Sequence, residues 1–237
     1  MPSAPKWLFD SVEFLMPKNP LAKITETIFL SPMVKKIRCS GELKNFNFKV
    51  GSYIDFRVND TEARRYTVSY VDTKNGVLEF IVHLHGNGSG CSFMDSLKVG
   101  DNIKLNTPRA YNYYDKSAEK FVIFGDETSL GLARSFLPVL KENNHLFQFY
   151  FELDDENKNV PEILGLENCT VFAKNGSFKN EEWISNLPIF KSVDWQNANF
   201  VLTGNVKSAQ TFRRVIKNKT NGKVYLHGYW LEGKKGL

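Results

Sequence analysis

The chain has 237 residues, of which 42% are hydrophobic and 24% charged, and this composition excludes intrinsically disordered and fibrous proteins. The length suits two compact domains. The net charge is +5, but the 31 basic and 26 acidic residues are interspersed along the chain, which argues against nucleic-acid binding. Aromatic residues reach 14%, including 19 Phe, enough for two cores and for rings that stack on a planar ligand.

The cysteines and the N-terminus indicate a cytoplasmic protein. Cys39, Cys91 and Cys169 are far apart and form no Cys-x-x-Cys pair, so we expect neither a disulfide framework nor a zinc site. The first 18 residues carry Asp10 and Glu13 within their apolar part, which is atypical of a signal peptide. No apolar run is long enough to cross a bilayer, and we expect no stable membrane association.

From about residue 22 to 107, short apolar segments alternate with turn residues. This pattern is typical of an antiparallel barrel or sandwich. One helix is predicted around 92–97, where Phe93 and Leu97 fall on one face. The predicted strands are 34–39, 53–58, 66–71, 77–83 and 103–105.

The polar and aromatic segment 111–120 is predicted to be a linker, because after it apolar runs alternate with helical stretches. That alternation indicates a parallel sheet covered by helices on both faces, with ligands bound beyond the strand ends at a topological switch point. Attention therefore falls on the residues after Phe124 and Leu202. The predicted strands are 121–124, 146–151, 170–173, 200–202 and 224–226, and the helices lie near 129–141, 160–165, 180–187 and 207–218.

The segment ARRYTVSY is the first candidate for ligand binding. In a strand, Arg65 and Thr67 lie on one face and Tyr66 and Val68 on the other. An arginine can donate two parallel hydrogen bonds to a phosphate, and a tyrosine ring can pack against a flat ligand. An ordinary half-exposed strand produces the same pattern, so the segment alone does not decide between the two.

The Gly-rich segment that runs from His83 to Ser92 is the second candidate. Backbone amides at the start of a helix around Gly90 and Cys91 could bind a diphosphate. A structural turn with an N-capping serine explains the same residues equally well. His83 and His85 lie on one face of the strand without further ligands, which is a weak signal, and we predict no metal site.

The third candidate, 125–128, follows the strand FVIF and precedes a helix, but it is not a G-x-G-x-x-G fingerprint. Asp126 and Glu127 would repel a diphosphate, although they could accept hydrogen bonds from a ribose or a nicotinamide amide. An acidic, N-capped first turn explains them as well. Near the C-terminus, Tyr229 and Trp230 could shield a planar cofactor or belong to the core.

Hydrolase and phosphoryl-transfer motifs are missing from the sequence, so chemistry carried by a bound cofactor is favoured over catalytic side chains. Taken in order, the motifs resemble the ferredoxin-reductase superfamily, and within it the siderophore-interacting, ferric-siderophore reductase branch. The resemblance covers nearly the whole chain. It departs at 202–204, where Leu-Thr-Gly stands in place of the common Ala-Gly-Glu.

The resemblance implies a β plus α/β fold in two parts: an FAD-binding antiparallel six-stranded β-barrel over 1–113, and an NAD(P)-binding-like doubly wound α/β domain over 114–237. In that family an R-x-Y-T strand holds the flavin and its ribityl phosphate, and Arg65, Tyr66 and Thr67 take this place. The phosphate loop resembles 83–92, and the G-D-E-T turn and GYWxxG motif are also present. The implied cofactor-binding residues are Arg65, Tyr66, Thr67, Val68, His83, His85, Gly90, Cys91, Ser92, Gly125, Asp126, Glu127, Thr128, Tyr229 and Trp230.

The function implied by the resemblance is an FAD-dependent oxidoreductase. It would take electrons from NADH, NADPH or ferredoxin and pass them to a ferric siderophore or another anionic ferric chelate, releasing iron(II). Two alternatives stay open: a general flavin or ferredoxin-type reductase with another acceptor, and a non-catalytic module that binds the chelate.

Overall fold

A computed structural model describes residues 3–15, 19–86 and 88–234. The chain forms two compact units, one reaching to Tyr111 and the other beginning at Asn112. The assignment of FAD binding to 1–113 and of nucleotide binding to 114–237 stays a prediction. Within the described residues, no helix has both the length and the apolar character needed to cross a membrane.

The first unit contains a six-stranded, nearly closed antiparallel barrel sheet with strand order β3-β4-β5-β2-β1-β6. All five predicted strands are present, and the predicted helix is present from Ser89 rather than from residue 92. The elements are α1 (Lys6–Leu15), β1 (Leu21–Ser31), β2 (Val34–Gly41), β3 (Tyr53–Arg57), β4 (Ala63–Asp72), β5 (Val77–His83), α2 (Ser89–Ser96) and β6 (Asn102–Lys104).

The barrel core is made by inward-facing strand residues and one face of α2. Phe80 of β5 packs edge-on against Phe56 of β3, with 5.5 Å between the ring centroids. Met94 of α2 is buried in the same cluster. Because strand side chains alternate between faces, each strand places every second residue in this core.

Two elements of this unit were not predicted. In β1, Lys23, Thr25 and Glu26 interrupt the apolar pattern from which a strand would be predicted. The strand nevertheless pairs with both β2 and β6. The helix α1 contacts the turn between β3 and β4, where Lys6 Nζ lies 2.9 Å from Asp60 Oδ1. This contact joins residues 54 positions apart, so a local sequence pattern does not reveal it.

The second unit is a parallel five-stranded sheet with strand order β11-β10-β7-β8-β9. Its first strand is central, so the order reverses between β7 and β10, as the sequence predicts. The elements are β7 (Lys120–Gly125), α3 (Leu130–Glu142), β8 (Leu146–Leu153), α4 (Val160–Ile163), β9 (Cys169–Ala173), α5 (Glu181–Ser185), β10 (Asn199–Leu202), α6 (Val206–Lys219) and β11 (Val224–Leu226).

Both faces of this sheet are covered by helices. Phe121 of β7 packs against Phe136 of α3 with ring centroids 6.3 Å apart, and Phe124 packs against Phe212 of α6 at 5.2 Å. The two β7 residues are three positions apart and so lie on opposite faces. The predicted doubly wound architecture is therefore confirmed.

A buried lysine holds the end of α2. Lys35 of β2 is 3% exposed, and its ammonium group donates hydrogen bonds to the carbonyls of Met94 (3.2 Å), Asp95 (2.7 Å) and Leu97 (3.1 Å). Carbonyls at a helix C-terminus lack partners within the helix and carry partial negative charge. Lys35 thus satisfies the C-terminus of α2 and fixes the helix against the barrel.

We expect Lys35→Met to lower the free energy of unfolding by about 1–3 kcal/mol, because three carbonyl groups lose their charged donor. Urea unfolding of the full chain measures the change. The matched control is Lys98→Met, at an exposed position in the same unit, which should leave stability nearly unchanged. Equal stability of the Lys35 variant and the wild type would contradict this role.

Candidate functional site

The strand β4 presents two different surfaces at the predicted flavin segment. Its register with β3 pairs Asp55 with Arg65 and Ile54 with Tyr66. Alternation along β4 puts Arg65 and Thr67 on one face, as predicted, and Tyr66 on the other. Val68, also predicted as a site residue, is 3% exposed and belongs to the barrel core.

The first turn of α2 packs on the Tyr66 face. A Cβ added at Gly90 would lie 2.7 Å from Tyr66 Oη and 2.9 Å from Arg64 Cγ. Only a glycine lets the helix approach this closely without a shift of its neighbours. The arginine that lies beside the Gly-rich turn is therefore Arg64, which the sequence prediction omitted.

The signal for Arg64 was present in the sequence. In an R-x-Y-T pattern the arginine stands two residues before the tyrosine, and in this chain that position is 64. Strand periodicity gives the same answer, since residues two apart share a face. The phosphate role of Arg65 stays a prediction, while Arg64 has the position beside α2.

The N-terminus of α2 is open and has no side-chain cap. Gly88 precedes the helix in an extended conformation and makes no capping hydrogen bond. The first helical bond runs from Ser92 N to Gly88 O at 3.0 Å, so the amides of residues 89–91 have no acceptor within the helix. A Cβ at Gly88 would meet nothing within 4 Å. Amides in this arrangement favour an anion.

One carboxylate borders this helix start. Glu62 accepts hydrogen bonds from Arg64 Nη2 and Asn59 Nδ2, both at 2.9 Å. The nearby Ser89, together with Arg64 and Asn59, lowers the pKa of Glu62 to about 2. Glu62 is therefore ionised at neutral pH and holds the Arg64 guanidinium near the first turn of α2.

The other predicted residues of this segment surround the same turn. The rings of His83 and His85 are 5.3 Å apart, and Cys91 Sγ lies 3.8 Å from the carbonyl oxygen of His83. Burial raises the pKa of the Cys91 thiol, which keeps it protonated and unreactive. Ser92 is exposed on the first turns of α2. The fold thus brings Tyr66, the two histidines and the Gly-rich turn into one region of the first unit.

In the second unit, the turn after β7 is occupied by its own carboxylate. Asp126 is fully buried and accepts hydrogen bonds from Thr128 N at 2.9 Å and Trp230 Nε1 at 2.6 Å. A Cβ at Gly204, which follows β10 with φ +81°, would lie 2.7 Å from Asp126 Oδ2. The switch point is therefore filled by contacts between Asp126, the turn after β10 and the C-terminal aromatic segment.

Glu127 is also directed inward. Its carboxylate accepts hydrogen bonds from Asp154 N at 2.7 Å and Asn157 Nδ2 at 3.1 Å, and it pairs with Lys174. Burial opposes ionisation, but hydrogen bonds from Lys174 and the Asp154 amide outweigh it, and the pKa of Glu127 is lowered. The proposed hydrogen bonds from this turn to a ribose or nicotinamide stay a prediction, since Asp126 and Glu127 already have protein partners.

The C-terminal motif lies at the same strand ends. Tyr229 N donates to Gly204 O at 2.8 Å, and Val206 N donates to Trp230 O at 3.0 Å. Both aromatic side chains are half-buried. Gly125, where a Cβ would lie 2.2 Å from Ser129, completes the tight turn. The fold therefore joins the G-D-E-T turn to Tyr229 and Trp230, which are about a hundred residues away in sequence.

Glu152, at the end of β8, was missed by the sequence analysis. It is 3% exposed, and burial raises its pKa to about 7, with the neighbouring Ser208 opposing the rise and Asp126 adding to it. In the strand LFQFYFEL a single glutamate is typical of an outward-facing residue. Segments distant in sequence, including Ser208 of α6 and Asp126, lie near this position.

We expect Glu152→Gln to change how stability depends on pH. The folded-state pKa is higher than the ordinary value of 4.5, so wild-type stability should be greatest below pH 4.5 as far as Glu152 is concerned, and should fall as pH rises to about 7. The glutamine variant lacks this loss and should be more stable at pH 8 by on the order of 2 kcal/mol. Chemical denaturation at several pH values measures this effect.

The control is Glu156→Gln, at an exposed position of the same unit, which should follow the wild-type pH profile. Identical profiles for Glu152→Gln and the wild type would contradict the assignment.

The first unit, which contains the Gly-rich turn and β4, matches a known protein family. Residues 22–114 match the family model described as "Oxidoreductase FAD-binding domain". A search of curated protein sequences found no match. The predicted resemblance to the ferredoxin-reductase superfamily is confirmed for this part of the chain.

Solved structures share the fold over almost the whole chain. The siderophore-interacting protein SipS from Aeromonas hydrophila is 18% identical with a TM-score of 0.74, covering 92% of this chain and 94% of SipS. Phthalate dioxygenase reductase is 17% identical with a TM-score of 0.74, covering 90% of this chain and 69% of the reductase. A ferredoxin NADP+ reductase from Neisseria gonorrhoeae, solved with FAD and NADP, is 14% identical with a TM-score of 0.71, covering 91% and 100%.

Proposed function

We propose that the chain, in which residues 22–114 match the oxidoreductase FAD-binding domain model, is a cytoplasmic FAD-dependent reductase of ferric siderophores. The observation that carries the proposal is the uncapped, Gly-rich start of α2 packed against Arg64 and Tyr66. Helix amides that have no acceptor within the helix, next to a guanidinium and an aromatic ring, suit a ligand with a diphosphate and a flat ring system. FAD has both.

The residues of the first unit fit FAD in their chemistry. The amides of residues 89–91 and the Arg64 guanidinium would bind the diphosphate, and Tyr66 would contact the ring system. Thr67 lies on the other face of β4, and its flavin contact rests on the family resemblance alone. Lys35 positions α2, whose amides face the ligand. When bound, FAD supplies the exchange of electrons between a two-electron donor and a one-electron acceptor. No side chain is required as a general acid or base.

The proposed acceptor is a ferric siderophore or another anionic ferric chelate. Support comes from the likeness of fold to siderophore-interacting proteins over more than nine tenths of both chains. The net charge of +5 favours the approach of an anion. Transfer of one electron converts iron(III) to iron(II), which is less charged and binds hard oxygen ligands more weakly, so the metal is released.

The proposed electron donor is NADH, NADPH or ferredoxin. A nicotinamide nucleotide would be bound by the second unit at the carboxyl ends of its parallel strands, where this fold class binds ligands. The hydrogen bond between Asp126 and Trp230 and the Glu127–Lys174 ion pair lie at these strand ends.

We expect Arg64→Gln to weaken FAD binding by about tenfold, because a charge-assisted hydrogen bond to the diphosphate is lost. Titration of the apoprotein with FAD, followed by flavin fluorescence, measures the dissociation constant. The matched control is the neighbouring Arg65→Gln, for which we expect less than a threefold change. A larger loss of FAD affinity in Arg65→Gln than in Arg64→Gln would show that Arg65 binds the phosphate.

We expect FAD-loaded protein with a reductant to release iron(II) from a ferric siderophore under anaerobic conditions. A chromogenic iron(II) chelator measures the product, and free FAD at equal concentration is the control. Flavin bleaching without iron(II) release would favour a general flavin reductase with another acceptor. A protein that takes up no FAD would contradict both enzyme functions and leave the non-catalytic module.

A further inference from the structure

Two arginines converge on one carboxylate at the edge of β3, on the face of the sheet opposite Tyr66. Arg65 Nε donates to Asp55 Oδ1 at 3.3 Å, and Arg109 Nη2 pairs with Asp55 Oδ2. Among the described residues, Asp55 is the carboxylate that both guanidinium groups share. Two positive charges and one negative charge leave one positive charge in excess at this position.

The backbone builds this arrangement. Residue 109 forms an antiparallel bridge with Tyr53, in which Tyr53 N donates to Arg109 O at 2.7 Å and Arg109 N donates to Tyr53 O at 3.0 Å. The segment after β6 thereby extends the open edge of β3. Arg109 is brought beside Asp55 although the two are 54 positions apart.

Two tyrosines hold the arginines. The Arg65 guanidinium carbon lies 4.0 Å from the ring centroid of Tyr53 and 5.6 Å from that of Tyr111. Arg65 Nη1 also donates to the Tyr111 hydroxyl. Tyr53 is 7% exposed, so its ring is a fixed support. Stacking on an aromatic face restricts a guanidinium group and leaves its edge available for an oxygen ligand.

The accessibility of the three charged groups differs. The side chains of Arg65 and Asp55 are 25% and 20% exposed, while that of Arg109 is 58% exposed. An incoming anion can therefore contact the outer edge of Arg109 and the rim of Arg65 without displacing a buried group. The Tyr53 and Tyr111 rings, 5.3 Å apart, add an apolar wall.

We propose that Arg65 and Arg109 form an anion site, separate from the diphosphate site at α2, which binds the acidic oxygen groups of the electron acceptor. Thr67, which the family resemblance implies as a flavin contact, lies on the same face as Arg65 and two residues further along β4, so the site adjoins Thr67. The inference rests on the proposed function. It selects anionic acceptors, such as catecholate or carboxylate chelates, over uncharged ones.

The test uses binding of redox-inert complexes to the FAD-loaded full chain. Gallium(III) tris-catecholate is the anionic probe, and a gallium(III) trihydroxamate complex without negative charge is the comparison. Calorimetry or the perturbation of the flavin spectrum measures the dissociation constants. We expect Arg109→Gln and Arg65→Gln to weaken catecholate binding by about tenfold and to leave trihydroxamate binding within twofold.

Lys74→Gln is the matched control, because it removes one exposed positive charge of the same unit at a turn between β4 and β5. It should change catecholate binding by less than twofold. FAD affinity is measured for every variant. Unchanged catecholate binding in both arginine variants would overturn the proposed anion site. Equal weakening by Lys74→Gln would also overturn it, because the effect would then come from the overall charge.

The anionic oxygens at this site could belong to the acceptor or to the flavin phosphates, and the FAD affinities of the variants distinguish the two. If Arg65→Gln weakens FAD binding as strongly as catecholate binding, the site holds the flavin phosphate and the inference is overturned. Wild-type protein that reduces ferric chelates but shows no preference for the anionic probe would overturn this site alone. Absence of both FAD uptake and chelate reduction would instead contradict the proposed function.

Discussion

The alternation of side chains along β4 is the constraint on which the functional account depends. Antiparallel pairing with β3 and β5 fixes the register, and the register decides which arginine faces α2. Arg64 and Tyr66 meet the Gly-rich turn, whereas Arg65 is directed to Asp55 and Arg109. A slip of one residue would exchange the two faces. Two adjacent arginines therefore have different proposed ligands because of strand geometry alone.

The two units treat charge at their helix starts in opposite ways. In the first unit the start of α2 has a glycine at its cap position, and no side chain caps its amides. In the second unit the turn before α3 is capped by the buried Asp126, and Glu127 is neutralised by Lys174. The contrast supports our proposal that the diphosphate of the flavin binds to the first unit. It also means that a nucleotide bound to the second unit cannot use the amide of Thr128, which donates to Asp126.

The sequence predicted the order of elements well, because the apolar runs of β5, β7 and β8 and the helical periodicity of α3 and α6 are strong local signals. It did not predict β1, in which polar residues interrupt the pattern, or α1, which contacts the turn after β3 through residues that are distant in sequence. Among site residues, Arg64 could have been found from spacing. Glu152, Lys35 and the Asp55 cluster could not, since their burial or charge balance arises from segments far apart in the chain.

The central claim is that the first unit binds a flavin through its diphosphate at the start of α2. The most direct measurement compares the dissociation constants of FAD and riboflavin for the wild-type apoprotein at one ionic strength. The account predicts that FAD binds at least a hundredfold more tightly, because riboflavin lacks the phosphates that the helix amides and Arg64 would hold. Equal affinities for the two flavins, or no binding of FAD, would contradict it.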